Sequence, residues 1–256
     1  MKARALDGEV AWVTGAARGM GFAIAQVLAR EGAHVAINDL RPLEEPASKL
    51  KAVGGSVLAM QGDVTSALQV QEMCEKILTQ FKRIDILVNN AGGGLDVPPS
   101  ITDLKEEEWD RVVDLNLKGT FLCCKAVIPH MRKQGKGKIV NISSLAGRYV
   151  STSGAPSYSA AKAGILGLTR HLAHREGPNG IRVNAVSPGS ILTERMLERF
   201  QGWPKEEQER RVSSTPLKRF GRPEEIAAAV LFLASDESSF VTGVNIDVNG
   251  GRFMQM

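Results

Sequence analysis

EVAWVTGAARGMG, residues 9–21, carries an apolar run into a glycine-rich turn that opens a helical pattern. In this context Gly15 permits the tight turn, Gly19 lets the backbone approach a pyrophosphate, and Gly21 lets the helix pack close to the strand. The positive end of that helix would then point at the phosphates. The loop also places two further residues at the predicted site, Arg18 and Met20. The chain is therefore predicted to begin with a dinucleotide-binding unit.

Short apolar runs alternate with longer helical patterns along the whole chain, as they do in βαβ units. Seven runs are mostly continuously apolar, which is typical of strands covered on both faces: Glu9–Thr14, His34–Asn38, Ser56–Gln61, Ile84–Asn89, Lys138–Ser143, Arg182–Ser187 and Val244–Val248. Helical patterns lie between them at Gly19–Glu31, Leu43–Val53, Ser66–Phe81, Lys105–Gln134 (interrupted near Lys118–Gly119), Ser157–Glu176 and Pro223–Ser235. We predict an α/β fold of the doubly wound (Rossmann) type, with a seven-stranded parallel sheet, helices on both faces, and a single domain over residues 1–256.

The segment Ser190–Leu217 differs from the rest, because its apolar residues are scattered among many charges after a Pro-Gly turn. This pattern predicts an amphipathic helical excursion from the sheet rather than another strand. In a doubly wound fold such an excursion can cover a ligand crevice, so we expect it to cover the substrate. A surface pair of helices that only closes the core is the alternative.

Composition argues against several classes of protein. The 256 residues are 43% hydrophobic and 5% aromatic, and the net charge of +4 is dispersed along the chain. Dispersed cations and few aromatic side chains argue against nucleic acid as a partner. The longest strongly apolar run, Ile226–Ala234, is too short to span a membrane, and the first ten residues lack the apolar stretch of a signal peptide.

The cysteines indicate a reducing compartment. Cys74, Cys123 and Cys124 form no CxxC pair and have no histidine at ligand spacing. This arrangement argues against a disulfide framework and against a bound metal. We therefore expect a cytoplasmic protein that needs neither disulfide bonds nor a bound metal.

An acidic residue at the end of the second predicted strand bears on the choice of nucleotide. Asp39 follows Gly21 by 18 residues, close to the spacing of about 20 at which an acid binds the adenosine ribose. A carboxylate there accepts hydrogen bonds from ribose hydroxyls and repels a 2′-phosphate, so we predict NAD in preference to NADP. Arg18 and Arg41 keep NADP open, because either guanidinium can approach a 2′-phosphate if Asp39 swings away.

The third predicted strand also ends in an acid. Asp63, followed by Val64, stands where a carboxylate can meet the adenine amino group. The alternative is that Asp63 is only the N-cap of the next helix.

The motif Tyr158-Ser-Ala-Ala-Lys162 carries the strongest catalytic signal, because residues four apart on a helix share one face. A phenol with a pKa near ~10 is a poor base, but a neighbouring ammonium and an oxidised nicotinamide both favour the phenolate. Ser144 ends a predicted strand 14 residues earlier, at the edge where α/β sheets place ligand chemistry. Ser144 can donate to the substrate oxygen while Tyr158 exchanges its proton. Taken alone, the Tyr-Lys spacing would be a coincidental surface pair.

Asparagines adjoin these residues. The fourth predicted strand ends in Asn89, Asn90, Ala91 and Gly92. Asn116 precedes the helix interruption, where an exposed backbone carbonyl can hold a water on a proton path to Lys162. For each asparagine a turn or a helix break is an equally good explanation.

Together these motifs resemble the short-chain dehydrogenase/reductase family in its form of about 250 residues, over nearly the whole chain. TGAARGMG at residues 14–21 resembles the family's TGxxxGxG, and NNAG at residues 89–92 resembles its fourth-strand motif. The family's Asn-Ser-Tyr-Lys tetrad is matched by Asn116, Ser144, Tyr158 and Lys162. Pro188 and Gly189, together with Ile191 and Thr193, resemble the family's segment that holds the nicotinamide carboxamide.

The resemblance implies reversible hydride transfer between nicotinamide C4 and a carbonyl carbon, without a metal and with Tyr158 as the general acid or base. Lys162 would bind the nicotinamide ribose and lower the pKa of Tyr158. Ser144 would hold the carbonyl oxygen, and Asn116 would hold the relay water.

Family members are commonly tetramers packed through two long helices, here about Asp110–Arg132 and Ser157–Arg175. The resemblance therefore implies a homotetramer with exposed apolar residues on both helices.

The departures from the family pattern fall around the substrate. One is the loop after the fourth-strand motif, which contains Gly92-Gly93-Gly94 and Pro98-Pro99. The other is the spacing of 14 residues between Ser144 and Tyr158, which is one residue longer than in many members. Our leading hypothesis is an NAD-dependent dehydrogenase that interconverts a small secondary alcohol and its ketone.

Two alternatives remain open. One is an NADP-dependent 3-oxoacyl (carrier protein) reductase-like enzyme, against which Asp39 argues because those reductases usually bind NADP. The segment Gly177-Pro-Asn-Gly180 also offers no basic residue for an acidic carrier. The other is a non-catalytic dinucleotide-sensing protein on the same fold, although such proteins often lack the tyrosine or lysine that this chain has.

Overall fold

A computed structural model describes residues 4–150 and 154–254, and it has the predicted doubly wound α/β architecture. The seven strands are β1 (Val10–Thr14), β2 (His34–Asp39), β3 (Val57–Gln61), β4 (Ile86–Asn89), β5 (Gly137–Ile142), β6 (Ile181–Pro188) and β7 (Asn245–Val248). They form one parallel sheet in the order β3-β2-β1-β4-β5-β6-β7. Each prediction of a strand is confirmed, with ends that differ by one or two residues.

The helices in the described part of the chain lie between these strands. They are α1 (Gly19–Arg30), α2 (Glu44–Val53), α3 (Ala67–Phe81), α4 (Glu106–Val113), α5 (Gly119–Gln134), α6 (Pro156–Glu176), α7 (Glu194–Gln201), α8 (Lys205–Ser213) and α9 (Pro223–Ala234). Short 3-10 turns at Leu145–Gly147, Gly177–Asn179 and Asp236–Ser238 complete the connections.

Buried side chains alternate between the two faces of the sheet, so the core has two layers. Val13 and its neighbours on one face pack against α1, α2 and α9. Trp12 and its neighbours on the other face pack against α3, α5 and α6. All the strands run in one direction, so their carboxyl ends meet along a single edge, and the strand order reverses between β1 and β4. Ligands of doubly wound folds bind at that edge and at that reversal.

The interruption predicted near Lys118–Gly119 is a π-helical turn at Asp114–Lys118, between α4 and α5. Side chains compete for the helix carbonyls there. Asn116 Nδ2 donates to the carbonyl of Val112 at 2.8 Å, and Thr120 Oγ1 donates to the carbonyl of Asn116 at 2.8 Å. Such insertions explain why the regular hydrogen-bond ladder widens at this point.

The segment Ser190–Leu217 is helical, as predicted, and contains α7 and α8. Ile191 departs from this pattern and pairs with Gly221 in an isolated parallel bridge. The expectation of exposed apolar residues on both long helices is met only on α5, where Phe121 is exposed, because α6 exposes no large apolar side chain. Among the described residues, no helix is both long enough and apolar enough to cross a membrane.

Candidate active site

The glycine-rich loop after β1 has the backbone that its sequence predicts. Gly15 and Gly19 have φ of +65° and +59°, a region that side-chain-bearing residues rarely adopt. A Cβ at Gly21 would lie 2.2 Å from the carbonyl oxygen of Gly15, so only glycine lets α1 begin this close to the loop. The first turn of α1 carries no acidic side chain. Its free N–H groups are therefore open to an anion.

Thr14, the last residue of β1, ties this loop to the loop after β4. Its Oγ1 accepts hydrogen bonds from the backbone N–H groups of Asn90 and Ala91, at 3.0 and 2.9 Å. The Asn90 amide donates in return to the carbonyls of Thr14 and Gly15, at 2.9 and 3.0 Å. The two loops on either side of the strand reversal therefore form one rigid wall.

Most of the predicted nucleotide-binding residues line one cleft at this wall, which we call the glycine-loop cleft. They are Gly15, Arg18, Gly19, Met20, Gly21, Asp39, Asp63, Val64, Asn90, Ala91, Gly92 and Thr193. Sequence reasoning missed further lining residues, namely Asn38, Leu40, Gly62, Leu115, Glu194 and Arg195. Most of these residues directly adjoin a predicted nucleotide-binding residue in the chain, which is the signal that could have found them, whereas Leu115 reaches the cleft through the fold alone.

Asp39 is held in the glycine-loop cleft by the backbone. Its carboxylate accepts from the N–H of Ala17 at 3.1 Å and from the N–H of Arg41 at 3.1 Å. A carboxylate has about four acceptor sites, so both oxygens keep capacity for ribose hydroxyls. Neither Arg18 nor Arg41 forms an ion pair with a carboxylate of the described residues.

The alternative interpretation of Asp63 as a helix N-cap is wrong. The N-cap of α3 is Ser66, whose side chain accepts from the N–H of Gln69. Asp63 Oδ1 instead accepts from the N–H of Thr65 at 2.8 Å, which tightens the turn three residues before the helix. Asp63 and Val64 stay on the wall of the glycine-loop cleft.

The glycine-loop cleft fits a dinucleotide in shape and in chemistry. The left-handed glycines leave room for phosphates, and Asp39 offers acceptors at the end of β2. Asn90 has a buried Oδ1 without a hydrogen-bond partner among the described residues, so it offers a ready acceptor. Within residues 4–150 and 154–254, no group of three or more His, Cys, Asp or Glu side chains is arranged to hold a metal ion.

Ser144 and Tyr158 line a second cavity of about 350 Å³, which we call the catalytic cavity. Pro188 and Gly189 line it too, whereas the predicted Ile191 is buried in the core and reaches neither space. The volume of the catalytic cavity lies at the lower end of the range for small-molecule sites. The predicted nicotinamide segment thus contributes its first two residues and Thr193 to the walls, but not Ile191.

Lys162 is buried behind Tyr158. Its Nζ donates to the carbonyl of Ile142 at 2.8 Å and lies 5.6 Å from the centre of the Tyr158 ring. The hydroxyl of Ser143 donates to the carbonyl of Lys162 at 2.8 Å. These bonds fix the catalytic face of α6 against the end of β5.

The hydroxyl of Ser144 is oriented by the turn that follows it. Its Oγ accepts from the N–H of Ala146 at 3.1 Å, which leaves the O–H proton for donation to Tyr158 or to a ligand. A Cβ at Gly147 would lie 2.6 Å from the carbonyl carbon of Lys162, so the glycine lets this turn pack directly on α6. The close packing brings Ser144 within hydrogen-bonding reach of Tyr158.

Burial is the main cause of the pKa shifts of Tyr158 and Lys162. Desolvation raises the pKa of Tyr158, and the hydrogen bond with Ser144 opposes the rise. Burial lowers the pKa of Lys162 to about 7. The expected lowering of the Tyr158 pKa by Lys162 is therefore not produced by the protein side chains alone, because a buried amine is charged only in part near neutral pH.

Asn116 is also placed differently from the expectation. The residue is fully buried, and its backbone carbonyl accepts from Thr120 instead of being exposed. Its side chain lies beside Lys162, because a Cβ at Gly92 would be 2.5 Å from Asn116 Oδ1 and 3.1 Å from Lys162 Nζ. All four predicted catalytic residues thus lie around the glycine-loop cleft and the catalytic cavity.

Known proteins resemble this chain in sequence and in fold. Residues 15–252 match the family described as enoyl-(acyl carrier protein) reductase. A 3-oxoacyl-(acyl-carrier-protein) reductase, FabG, from Thermotoga maritima is 43% identical over 248 residues, which cover 96% of this chain and 98% of that protein. A solved short-chain dehydrogenase/reductase from Burkholderia xenovorans is 38% identical, with a TM-score of 0.91 and 98% of both chains covered. Levodione reductase is 35% identical with a TM-score of 0.89, over 96% of this chain and 98% of its own. The chain belongs to the short-chain dehydrogenase/reductase family of oxidoreductases.

Proposed function

We propose that this protein interconverts the ketone of a 3-oxoacyl group and the corresponding secondary alcohol, with NAD as the preferred cofactor. The observation that carries the proposal is that Ser144 and Tyr158 line one cavity, with the amine of Lys162 buried behind the phenol. The 3-oxoacyl class is supported by the name of the relative that is 43% identical. It replaces the broader class of secondary alcohols as our first choice.

In the reductive direction a ketone, NADH and one proton give a secondary alcohol and NAD. The bound nicotinamide would supply the hydride with its electron pair to the carbonyl carbon. Ser144 donates its O–H to the carbonyl oxygen, which stabilises the charge that develops there. Tyr158 gives its phenolic proton to the same oxygen and recovers a proton from solvent.

Lys162 positions the proton donor and would bind the nicotinamide ribose. Among the described residues its amine has one acceptor, the carbonyl of Ile142, so two of its donors remain for a hydroxyl or a water when it is charged. Burial holds its pKa at about 7, which makes its charge sensitive to any group that binds beside it. We propose that ligand binding charges this amine and so shifts the phenol toward the phenolate.

The preference for NAD rests on Asp39. Its carboxylate is fixed by two backbone N–H groups at the end of β2, on the wall of the glycine-loop cleft, and would repel a 2′-phosphate bound there. Removing a fixed negative charge from that place would require breaking both hydrogen bonds. NADP is therefore disfavoured although Arg18 and Arg41 are near.

A second candidate is an oxidoreductase of other small alcohols and ketones. It is favoured by the 35% identity with levodione reductase, whose name gives a substrate outside the carrier-bound acyl groups. The two candidates share every catalytic residue and differ only in what occupies the catalytic cavity.

Turnover of purified protein tests both candidates. We expect NADH-dependent reduction of a 3-oxoacyl N-acetylcysteamine thioester to exceed that of levodione, and a faster rate with NADH than with NADPH. Tyr158→Phe should lower kcat about 100-fold or more while leaving the Kd for NAD within twofold. Tyr149→Phe is the matched control, because Tyr149 is exposed and does not line the catalytic cavity. Unchanged turnover in Tyr158→Phe would refute the mechanism, and cofactor binding without turnover of either ketone would favour a sensing protein.

We further propose a homotetramer in the reducing cytoplasm. Phe121 on α5 offers an exposed apolar contact, and Cys74, Cys123 and Cys124 are free and buried. Light scattering of the purified protein tests the tetramer directly.

A further inference from the structure

The catalytic cavity carries an excess of positive charge. Four arginines line it, and the only carboxylate among its lining residues is Asp96. The four are Arg195, Arg199, Arg211 and Arg252. Hydride transfer to a ketone needs no cationic wall, so this charge calls for another explanation.

Three of the arginines already have a carboxylate partner. Arg195 and Arg199, both on α7, share Asp96, and the Arg199 contact measures 3.1 Å. Arg211 on α8 pairs with Glu207 and lies over the ring of Trp203, 4.0 Å from its centre. The two ion pairs to Asp96 hold α7 against the loop after β4.

Arg252 differs from the other three. It forms no ion pair with a carboxylate of the described residues, and its Nη1 donates to Ser190 Oγ at 3.2 Å. Ser190 directly follows the Pro188-Gly189 turn, so this guanidinium lies beside the same wall as the catalytic hydroxyls. A partly buried cation without a counter-ion favours an anionic ligand.

The turn after β7 holds Arg252 in place. Asn249 Oδ1 accepts from the N–H of Gly251 at 2.9 Å, and Asn249 Nδ2 donates to the carbonyl of Phe253 at 3.1 Å. Gly250 and Gly251 both have positive φ, which allows this tight backbone. The turn fixes the backbone from which the Arg252 side chain projects, and the bond to Ser190 Oγ orients its guanidinium.

We propose that the substrate is a small anion, whose carboxylate binds Arg252 while Ser144 and Tyr158 act on its ketone or hydroxyl. Arginine fits this task because its planar group donates two parallel hydrogen bonds to one carboxylate. The inference rests on the proposed function and names the free 3-oxo or 3-hydroxy acid, in preference to its thioester, as the form of the substrate that binds. The anion of a carrier or coenzyme thioester is the phosphate of its long arm, which a cavity of about 350 Å³ does not enclose together with the ketone.

Binding tests the inference without turnover. The probes are 3-hydroxyhexanoate, its neutral methyl ester and 3-hydroxyhexanoyl coenzyme A, titrated by calorimetry into Tyr158→Phe protein saturated with NAD. We expect the acid to bind at least tenfold more tightly than the ester, because a charge-assisted bidentate pair is lost in the ester. Adding Arg252→Gln should abolish the difference, and Arg252→Lys should restore part of it.

Arg30→Gln is the matched control, since Arg30 is exposed at the end of α1 and lines neither space. It should leave the tenfold difference intact. Equal binding of acid and ester, or tight binding of the coenzyme A thioester alone, would overturn the inference. Turnover of the neutral thioester by the unmodified protein is measured separately, so failure of the proposed function is recognised independently of failure at Arg252.

Discussion

The carboxamide of Asn116 forms hydrogen bonds with both backbone groups of Gly93. Asn116 Oδ1 accepts from the N–H of Gly93 at 3.0 Å, and Asn116 Nδ2 donates to the carbonyl of Gly93 at 2.9 Å. Gly92 lines the glycine-loop cleft, and Gly94 lines the catalytic cavity. A single buried side chain therefore fixes the strip of backbone that separates the two spaces.

We predict that Asn116→Ala lowers both activity and stability. The variant loses these two bonds and the bond to Val112, and it leaves polar groups of the loop without partners. Such losses cost about 1–3 kcal/mol of unfolding free energy, and kcat should fall about tenfold or more as the loop moves. Steady-state kinetics and urea unfolding measure the two effects. Asn116→Asp keeps the acceptor but places a second carboxylate oxygen against the carbonyls of Gly93 and Val112, so it should not restore the parental activity. Parental kinetics in a folded Asn116→Ala protein would contradict this role.

We predict that Gly92→Ala damages catalysis more than folding. A Cβ there would press on Asn116 Oδ1 at 2.5 Å and on Lys162 Nζ at 3.1 Å, so both groups must move. A misplacement of this kind costs about 100-fold in rate. The chain supplies its own control two residues away, because a Cβ at Gly94 meets nothing within 4 Å. Kinetics of Gly92→Ala and Gly94→Ala should therefore differ sharply, and equal rates would show that Lys162 tolerates displacement.

The sequence predicts the parts of this molecule that depend on local pattern. Continuous apolar runs are sufficient to locate the seven strands, and the parallel topology places their carboxyl ends at one edge of the sheet. The spacing of Gly15, Gly19 and Gly21 predicts the glycine-rich turn, because the requirement for glycine at each position arises largely from nearby backbone. Gly15 and Gly19 have positive φ, and a Cβ at Gly21 would collide with the carbonyl of Gly15.

Features that depend on distant parts of the chain could not be predicted. Asn116 was expected to act through an exposed carbonyl, but the π-helical turn buries that carbonyl and turns the side chain toward Gly93. Arg252 lies 94 residues after Tyr158 in a segment without a periodic pattern. Only the pairing of β6 with β7 brings it beside Ser190.

We predict that Asp39→Asn reduces the preference for NAD over NADP at least tenfold. The substitution keeps the size and an acceptor oxygen but removes the negative charge that repels a 2′-phosphate. The ratio of kcat/KM values for the two cofactors is the measurement. Asp63→Asn is the matched control, because Asp63 lines the same cleft at the end of the next strand and should leave the ratio unchanged. If both variants change the ratio equally, the selectivity comes from the overall field of the cleft and not from Asp39.

We predict that Lys162 makes the protein more stable as the pH rises above neutral. Burial holds its pKa at about 7 in the folded state, below the ordinary value of about 10.4 for an unfolded chain. Between these values the unfolded chain binds a proton that the folded protein does not, so the free energy of unfolding rises with pH, by up to about 1.4 kcal/mol per unit. Tyr158, which faces the amine, does not offset this rise, because its raised pKa acts only above pH ~10.

Urea unfolding from about pH 7 to about pH 8.5 measures this slope. At higher pH the buried thiols, whose pKa values are raised, make the free energy of unfolding fall as the pH rises. In Lys162→Met the slope contributed by the amine is absent, so the variant should gain less stability over this interval than the parent. Lys76→Met, at an exposed position on α3, should keep the parental slope. A Lys162→Met protein that follows the parent at every pH would show that the amine stays charged in the folded state, with a proton available beside Tyr158 throughout.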